Sequence, residues 1–173
     1  MKDQTMKITK TRLKKIIKEE LDIVLKEYLT MEDAPRYFAG KAIGALKAAR
    51  EMSNRFATAK GYAAKGQSIR KSELGKLEKE VGGTARDYCR EVGKEFYRIA
   101  DQMSSAMAYK SGADFADFEP RLKEIGKKLI SASNAMITAP EGGAKEFKKA
   151  VDQLSPEFDD LIKIGYEIIE ANS

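Results

Sequence analysis

The side chains that could do acid–base or metal chemistry in this chain are carboxylates without a histidine to work with. Of 173 residues, 27 are Asp or Glu, 32 are Lys or Arg and none is His. A di-metal site inside a helical bundle uses core-facing glutamates together with a Glu-x-x-His pair, and no such pair exists here. Glu78, Glu80, Glu91, Glu95 and Glu124 sit beside apolar stripes with Lys or Arg nearby, which is the pattern of solvated faces laced with weak ion pairs. The chain is therefore read as holding no metal and no cofactor. Cys89 is the sole thiol, and Arg86 and Arg90 near it would favour a thiolate. Without an imidazole base beside it, and next to a core Tyr88, it reads as a partly buried spacer. Ser68 with Lys71 is the other nucleophile–base pair, and it falls in a loop. No catalytic residue is assigned, and the chain is read as a non-enzyme.

Two glycine pairs and one basic segment bear on anion binding. Gly82-Gly83 lies inside a helical pattern, and Gly142-Gly143 precedes a helix whose free amides could face an anion. Neither belongs to a G-K-[ST] or G-x-G-x-x-G motif, so both read as helix breaks. Between Arg36 and Lys71 there are nine cations and one acid, Glu51. Lys41, Lys47, Arg50, Arg55, Lys60 and Lys65 of this run are candidate contacts for nucleic-acid phosphates. No zinc site, helix-turn-helix spacing or aromatic stacking platform accompanies them. They are spread around the helix rather than gathered in a ridge, so a solvated face paired with the acidic C-terminal leg is the competing reading.

The elements that carry these residues are helices. Phe38, Ala42, Ala45, Ala49, Met52, Phe56, Ala59 and Ala63 recur at alternating steps of four and three, one stripe down a long helix. Its alanines allow a partner helix to come close. Gly40 and Gly44 in the same helix are read as a place of close backbone contact. Leu74, Leu77, Val81, Ala85, Tyr88, Val92, Phe96, Ile99, Met103 and Met107 form a second stripe, running through Gly82-Gly83 with a kink but no change of register. Phe115, Phe118, Leu122, Ile125, Leu129, Ala132 and Met136 form a third. Ala139-Pro140-Glu141-Gly142-Gly143 breaks the chain. A short helix with Phe147 and Val151 follows, and Ser155-Pro156-Glu157 restarts a last helix as cap plus proline. Ahead of all these, Leu13, Ile16, Ile17, Leu21, Val24, Leu25 and Tyr28 make an amphipathic helix opposed by Lys14, Lys15, Lys18, Glu19 and Lys26. Its polar face mixes both signs and lacks Trp and Phe, so a protein surface suits it better than a membrane surface.

The expected fold is all-α: an antiparallel up-down four-helix bundle over residues 31–173, its last leg broken into two short helices, preceded by an amphipathic helix in residues 1–30. Short connections make neighbouring helices antiparallel. Charge is polarised along the chain, with 17 Lys/Arg against 8 Asp/Glu in residues 1–71 and 4 against 8 in residues 140–173. One cysteine fits a reducing compartment. No apolar run nears the roughly 20 residues that span a bilayer, and the N-terminus does not read as a secretory signal.

Residues Met6-Lys7-Ile8-Thr9-Lys10-Thr11-Arg12-Leu13-Lys14-Lys15-Ile16-Ile17-Lys18-Glu19-Glu20-Leu21 resemble a leader carried by otherwise unrelated small proteins of tailed phages, T4-like and marine ones especially. The resemblance covers 16 of the 173 residues. It implies a virion- or assembly-associated protein found in the host cytoplasm or the particle. It also implies an address helix, trimmed after a Leu/Ile-x-Glu triplet at Glu19 or Glu27. Leu122-Lys123-Glu124 fits the same triplet within a bundle helix. The function read from the whole is a structural or interaction protein that docks through Leu13, Ile16, Ile17, Leu21, Val24 and Leu25. Its partner is a capsid or assembly protein, or a second copy. A nucleic-acid-binding helical protein and a bundle with a small-ligand pocket near Gly40/Gly44 or Gly82/Gly83 are the alternatives.

Overall fold

The computed structural model describes the backbone of residues 10–29, 34–63, 72–107 and 115–173. Every extended element among them is an α-helix: α1 (Lys10–Leu29), α2 (Ala34–Ala63), α3 (Glu73–Val81), α4 (Ala85–Met107), α5 (Phe118–Ala135), α6 (Ala144–Gln153) and α7 (Ser155–Ala171). The all-α expectation holds for these residues. The helix starts read at Thr9 and at Thr30–Asp33 lie outside them, as do the loops at 66–71 and 111–113, the Ser68/Lys71 pair and the side chain of Met107.

Helix α2 is central. It packs on α3, α4, α6 and α7, so it buries more than one stripe. Phe38, Ala42, Ala49, Phe56 and Ala59 are buried as the spacing predicts, and Ala39, Ile43, Leu46 and Ser53 join them. Six phenylalanines are fully buried and tie the helices together edge to face. Phe56 of α2 meets Phe147 of α6 with ring centroids 6.1 Å apart, and Phe96 of α4 meets Phe158 of α7 at 6.0 Å.

The most extensive helix pair is α4 with α5, and glycine makes it so. A Cβ placed on Gly93 would stand 2.7 Å from the carbonyl oxygen of Gly126, and one on Gly126 would stand 2.7 Å from that of Gly93. The two backbones touch, which admits Cα–H···O contacts that a side chain would block. This is the close approach expected at Gly40 and Gly44, and it occurs elsewhere. Those two are exposed, with nothing within 4 Å of where a Cβ would sit.

The second stripe is two helices, not one kinked helix. Gly82 takes the left-handed conformation (φ 78°) that ends α3, open to glycine at little steric cost. Thr84 then starts α4: its hydroxyl accepts from the Asp87 amide at 3.3 Å, while Asp87 Oδ2 accepts from the Thr84 amide at 3.0 Å. That reciprocal pair satisfies two amides at the helix start. Ser72 caps α3 as expected, accepting from the Gly75 amide at 3.2 Å. At the other break, Glu141, Gly142 and Gly143 all have positive φ. Ser155 is not a cap: α7 begins at it, Leu154 precedes it, and the Ser155 hydroxyl accepts from Arg50 instead.

Candidate functional site

Cys89 and Asp87 are both held by hydrogen bonds to their surroundings. Cys89 is fully buried, more so than a partly buried spacer, and its Sγ donates to the Leu129 carbonyl at 3.4 Å. Burial pushes its thiol up to about 12, which disfavours the nucleophilic thiolate. Among the described residues no group of three or more Cys, Asp or Glu is arranged to hold a metal ion. Glu78 is raised above the usual carboxylate range, first by partial burial and then by the charge of Asp87. Asp87 is lowered, first by the Thr84 amide and then by the Thr84 hydroxyl.

The basic residues of α2 mostly face acceptors in this same chain. Arg50 donates to the Ser155 carbonyl at 3.2 Å, to the Ser155 hydroxyl at 3.1 Å and to Asp159 at 2.8 Å, with its guanidinium over Phe158. This joins α2 to the α6–α7 junction. Arg55 makes a two-pronged bridge to Glu80 at 2.9 and 2.7 Å. The Glu80 hydrogen bond is the first cause of the raised Arg55 and of the lowered Glu80. Lys60 pairs with Glu141 at 3.4 Å. Lys47 donates to the Tyr166 hydroxyl at 2.7 Å and Lys41 to the Gln102 side chain at 3.4 Å. Lys65 lies outside the described residues. Pairing with the acidic C-terminal leg therefore holds for Arg50 and Lys60. A groove of about 390 Å³ runs between α2 and α3, lined by Glu51, Asn54, Arg55, Glu73, Lys76 and Glu80 among others. Thr58, Ala59 and Leu77 complete its lining, which includes none of Gly40, Gly44, Gly82 and Gly83.

Helix α1 differs from the rest. No other helix packs extensively along it among the described residues. Ile16, Ile17 and Leu21 are 38%, 49% and 54% exposed. Ile23 at 50% joins them; seven residues from Ile16, it shares that residue's face. The side chains of Leu13, Val24, Leu25 and Glu27 lie outside the described residues. Ile17, Lys18 and Glu19 are all exposed, whereas Leu122 of the third Leu/Ile-x-Glu triplet is fully buried. Arg98 of α4, raised chiefly by its bond to Glu95, also feels the charge of Asp22 in α1.

A second uncovered face lies on α2. Arg36, Tyr37, Gly40, Gly44, Lys47 and Ala48 are exposed together at its N-terminal half. Sequence periodicity assigned α2 only one buried stripe and gave no sign of this face; the signal was the glycine pair, read with the opposite meaning. No known protein family, curated protein or solved structure matches the chain.

Proposed function

We propose that this is a non-catalytic interaction protein that docks through α1, and that it belongs to the particle or assembly pathway of a tailed phage. In this reading the body, residues 31–173, is an up-down bundle whose four legs are α2, α3 with α4, α5, and α6 with α7. The observation that carries the proposal is the exposure of Ile16, Ile17, Leu21 and Ile23 on a helix along which no other packs extensively among the described residues. Covering the exposed half of such side chains gains about 1 kcal/mol each, enough for a specific site if a partner meets them together. The leader-like sequence of this helix supplies the phage context. Trimming after Glu19 agrees with the exposure of Ile17, Lys18 and Glu19.

The test uses the full chain with Ile17→Glu and Leu21→Glu together. Both sites are exposed, so the unfolding midpoint of the body should stay unchanged. Wild-type protein should be recovered in purified particles or assembly intermediates, and the variant should be lost from them. Equal recovery of the two proteins would end the docking reading, and absence of the wild type from every particle fraction would end the phage reading.

A further inference from the structure

We infer that the partner of α1 is a second copy of this chain, and that the surface it covers is the exposed face of α2 around Tyr37, Gly40 and Gly44. The inference rests on the reading of α1 as a docking helix and names what it docks on.

The first argument is that one chain displays two uncovered faces, one with projecting side chains and one without. Ile16, Ile17, Leu21 and Ile23 project from α1. The face on α2 is flat because Gly40 and Gly44 have no side chains, and nothing lies within 4 Å of where one would begin. Tyr37, 43% exposed, borders it on α2, and Tyr166 of α7, 45% exposed, is tied to it through Lys47. A projecting helix can approach such a flat face closely, with Tyr37 and Tyr166 exposed beside it. Two glycines in an exposed helix interior each cost about 1 kcal/mol against alanine, and no contact among the described residues accounts for them.

The second argument is charge. Residues 34–50 contain four cations, Arg36, Lys41, Lys47 and Arg50, and no acid; the next acid is Glu51. Helix α1 is divided in the complementary sense: Arg12, Lys14, Lys15 and Lys18 come first, then Glu19, Glu20 and Asp22. Laid antiparallel on α2, with its C-terminal end toward the start of α2, α1 brings Glu19, Glu20 and Asp22 toward Lys41 and Lys47. The same placement brings its cations toward Glu51. The opposite orientation turns the α1 cations toward Arg36 and away from Glu51.

The third argument selects a second copy. Within the single chain Ile16, Ile17, Leu21 and Ile23 of α1 are left exposed, and so are Tyr37, Gly40 and Gly44 of α2. A second copy offers the same two faces, so α1 of each on α2 of the other makes a closed two-fold exchange with both faces covered.

The experiment is sedimentation of the full chain over a range of concentrations, with crosslinking. Leu21→Cys in one preparation and Gly44→Cys in another are mixed and oxidised; Cys89 is fully buried and stays out of the reaction. The expected results are a dimer and a disulfide joining residue 21 of one chain to residue 44 of the other. Gly44→Leu should weaken the dimer about tenfold or more without lowering the unfolding midpoint of the body. A chain monomeric at every concentration would overturn the inference. So would a Leu21→Cys/Gly44→Cys chain that closes on itself, or a dimer indifferent to Gly44→Leu. A monomer whose recovery in particles still depends on Ile17 and Leu21 would overturn this inference and leave α1 docking intact. A dimer of the expected linkage, with recovery indifferent to those residues, would do the reverse.

Discussion

Two pairs of glycines in this chain have opposite consequences, and only their neighbours distinguish them. At Gly93 an added Cβ meets the Gly126 carbonyl at 2.7 Å, so Gly93→Ala should force α4 and α5 apart and cost about 1–3 kcal/mol. At Gly40 an added Cβ meets nothing, so Gly40→Ala in the dilute protein should gain up to about 1 kcal/mol by helix propensity. Urea unfolding of the two variants beside wild type measures both, with opposite shifts of midpoint. Cys89 makes a second prediction at this scale. Its folded thiol titrates at about 12, against about 8.5 for a free thiol. The unfolded chain therefore loses its proton first. The contribution of the buried thiol to stability is complete below the free value and declines as pH rises toward 12. Thiol reagents at mildly alkaline pH should modify Cys89 only in denaturant, and fast labelling of the native protein would contradict its burial.

At the scale of elements, turn chemistry placed the boundaries. Periodicity carried one register through Gly82-Gly83, yet the chain stops there and restarts. The restart uses Thr84 and Asp87, three residues apart like the members of a capping box, a signal present in the sequence beneath a continuous apolar stripe. Thr84→Ala should cost about 1 kcal/mol, and circular dichroism melts would report it. The lowered Asp87 carboxyl adds a sign. Its contribution is full above the ordinary carboxylate value and is lost as pH falls through its depressed folded value, so wild type and Thr84→Ala should converge in acid. Ser155 shows the reverse error. Serine before proline looks like a cap, but Arg50 from α2 claims its hydroxyl, and no local pattern reports a partner more than a hundred residues away.

For the molecule as a whole, the helices from α2 onward share one core, to which no described side chain of α1 contributes. Amide hydrogen exchange should separate them. Amides of residues 12–23 should exchange by local opening, while those of α2, α4 and α5 should require global unfolding. Raising protein concentration should protect α1 if a second copy covers it. Equal protection of α1 and α4 in dilute solution would contradict the uncovered face.

What the sequence determined by itself is whatever depends on spacing along one helix. The all-α class, the stripes of α2 and α5, the Ser72 cap and the break at 140–143 follow from local periodicity and backbone preference. What only the tertiary structure decided is which faces meet. Gly93 and Gly126 were silent because a glycine marks close approach only when another backbone is known to lie against it. Gly40 and Gly44, spaced like a contact motif, proved to be open surface. Spacing along α2 could not report that Arg50, Arg55 and Lys60 lie beside Asp159, Glu80 and Glu141. Contacts between residues far apart in the chain are settled by packing the whole core at once, and that is information no window of sequence contains.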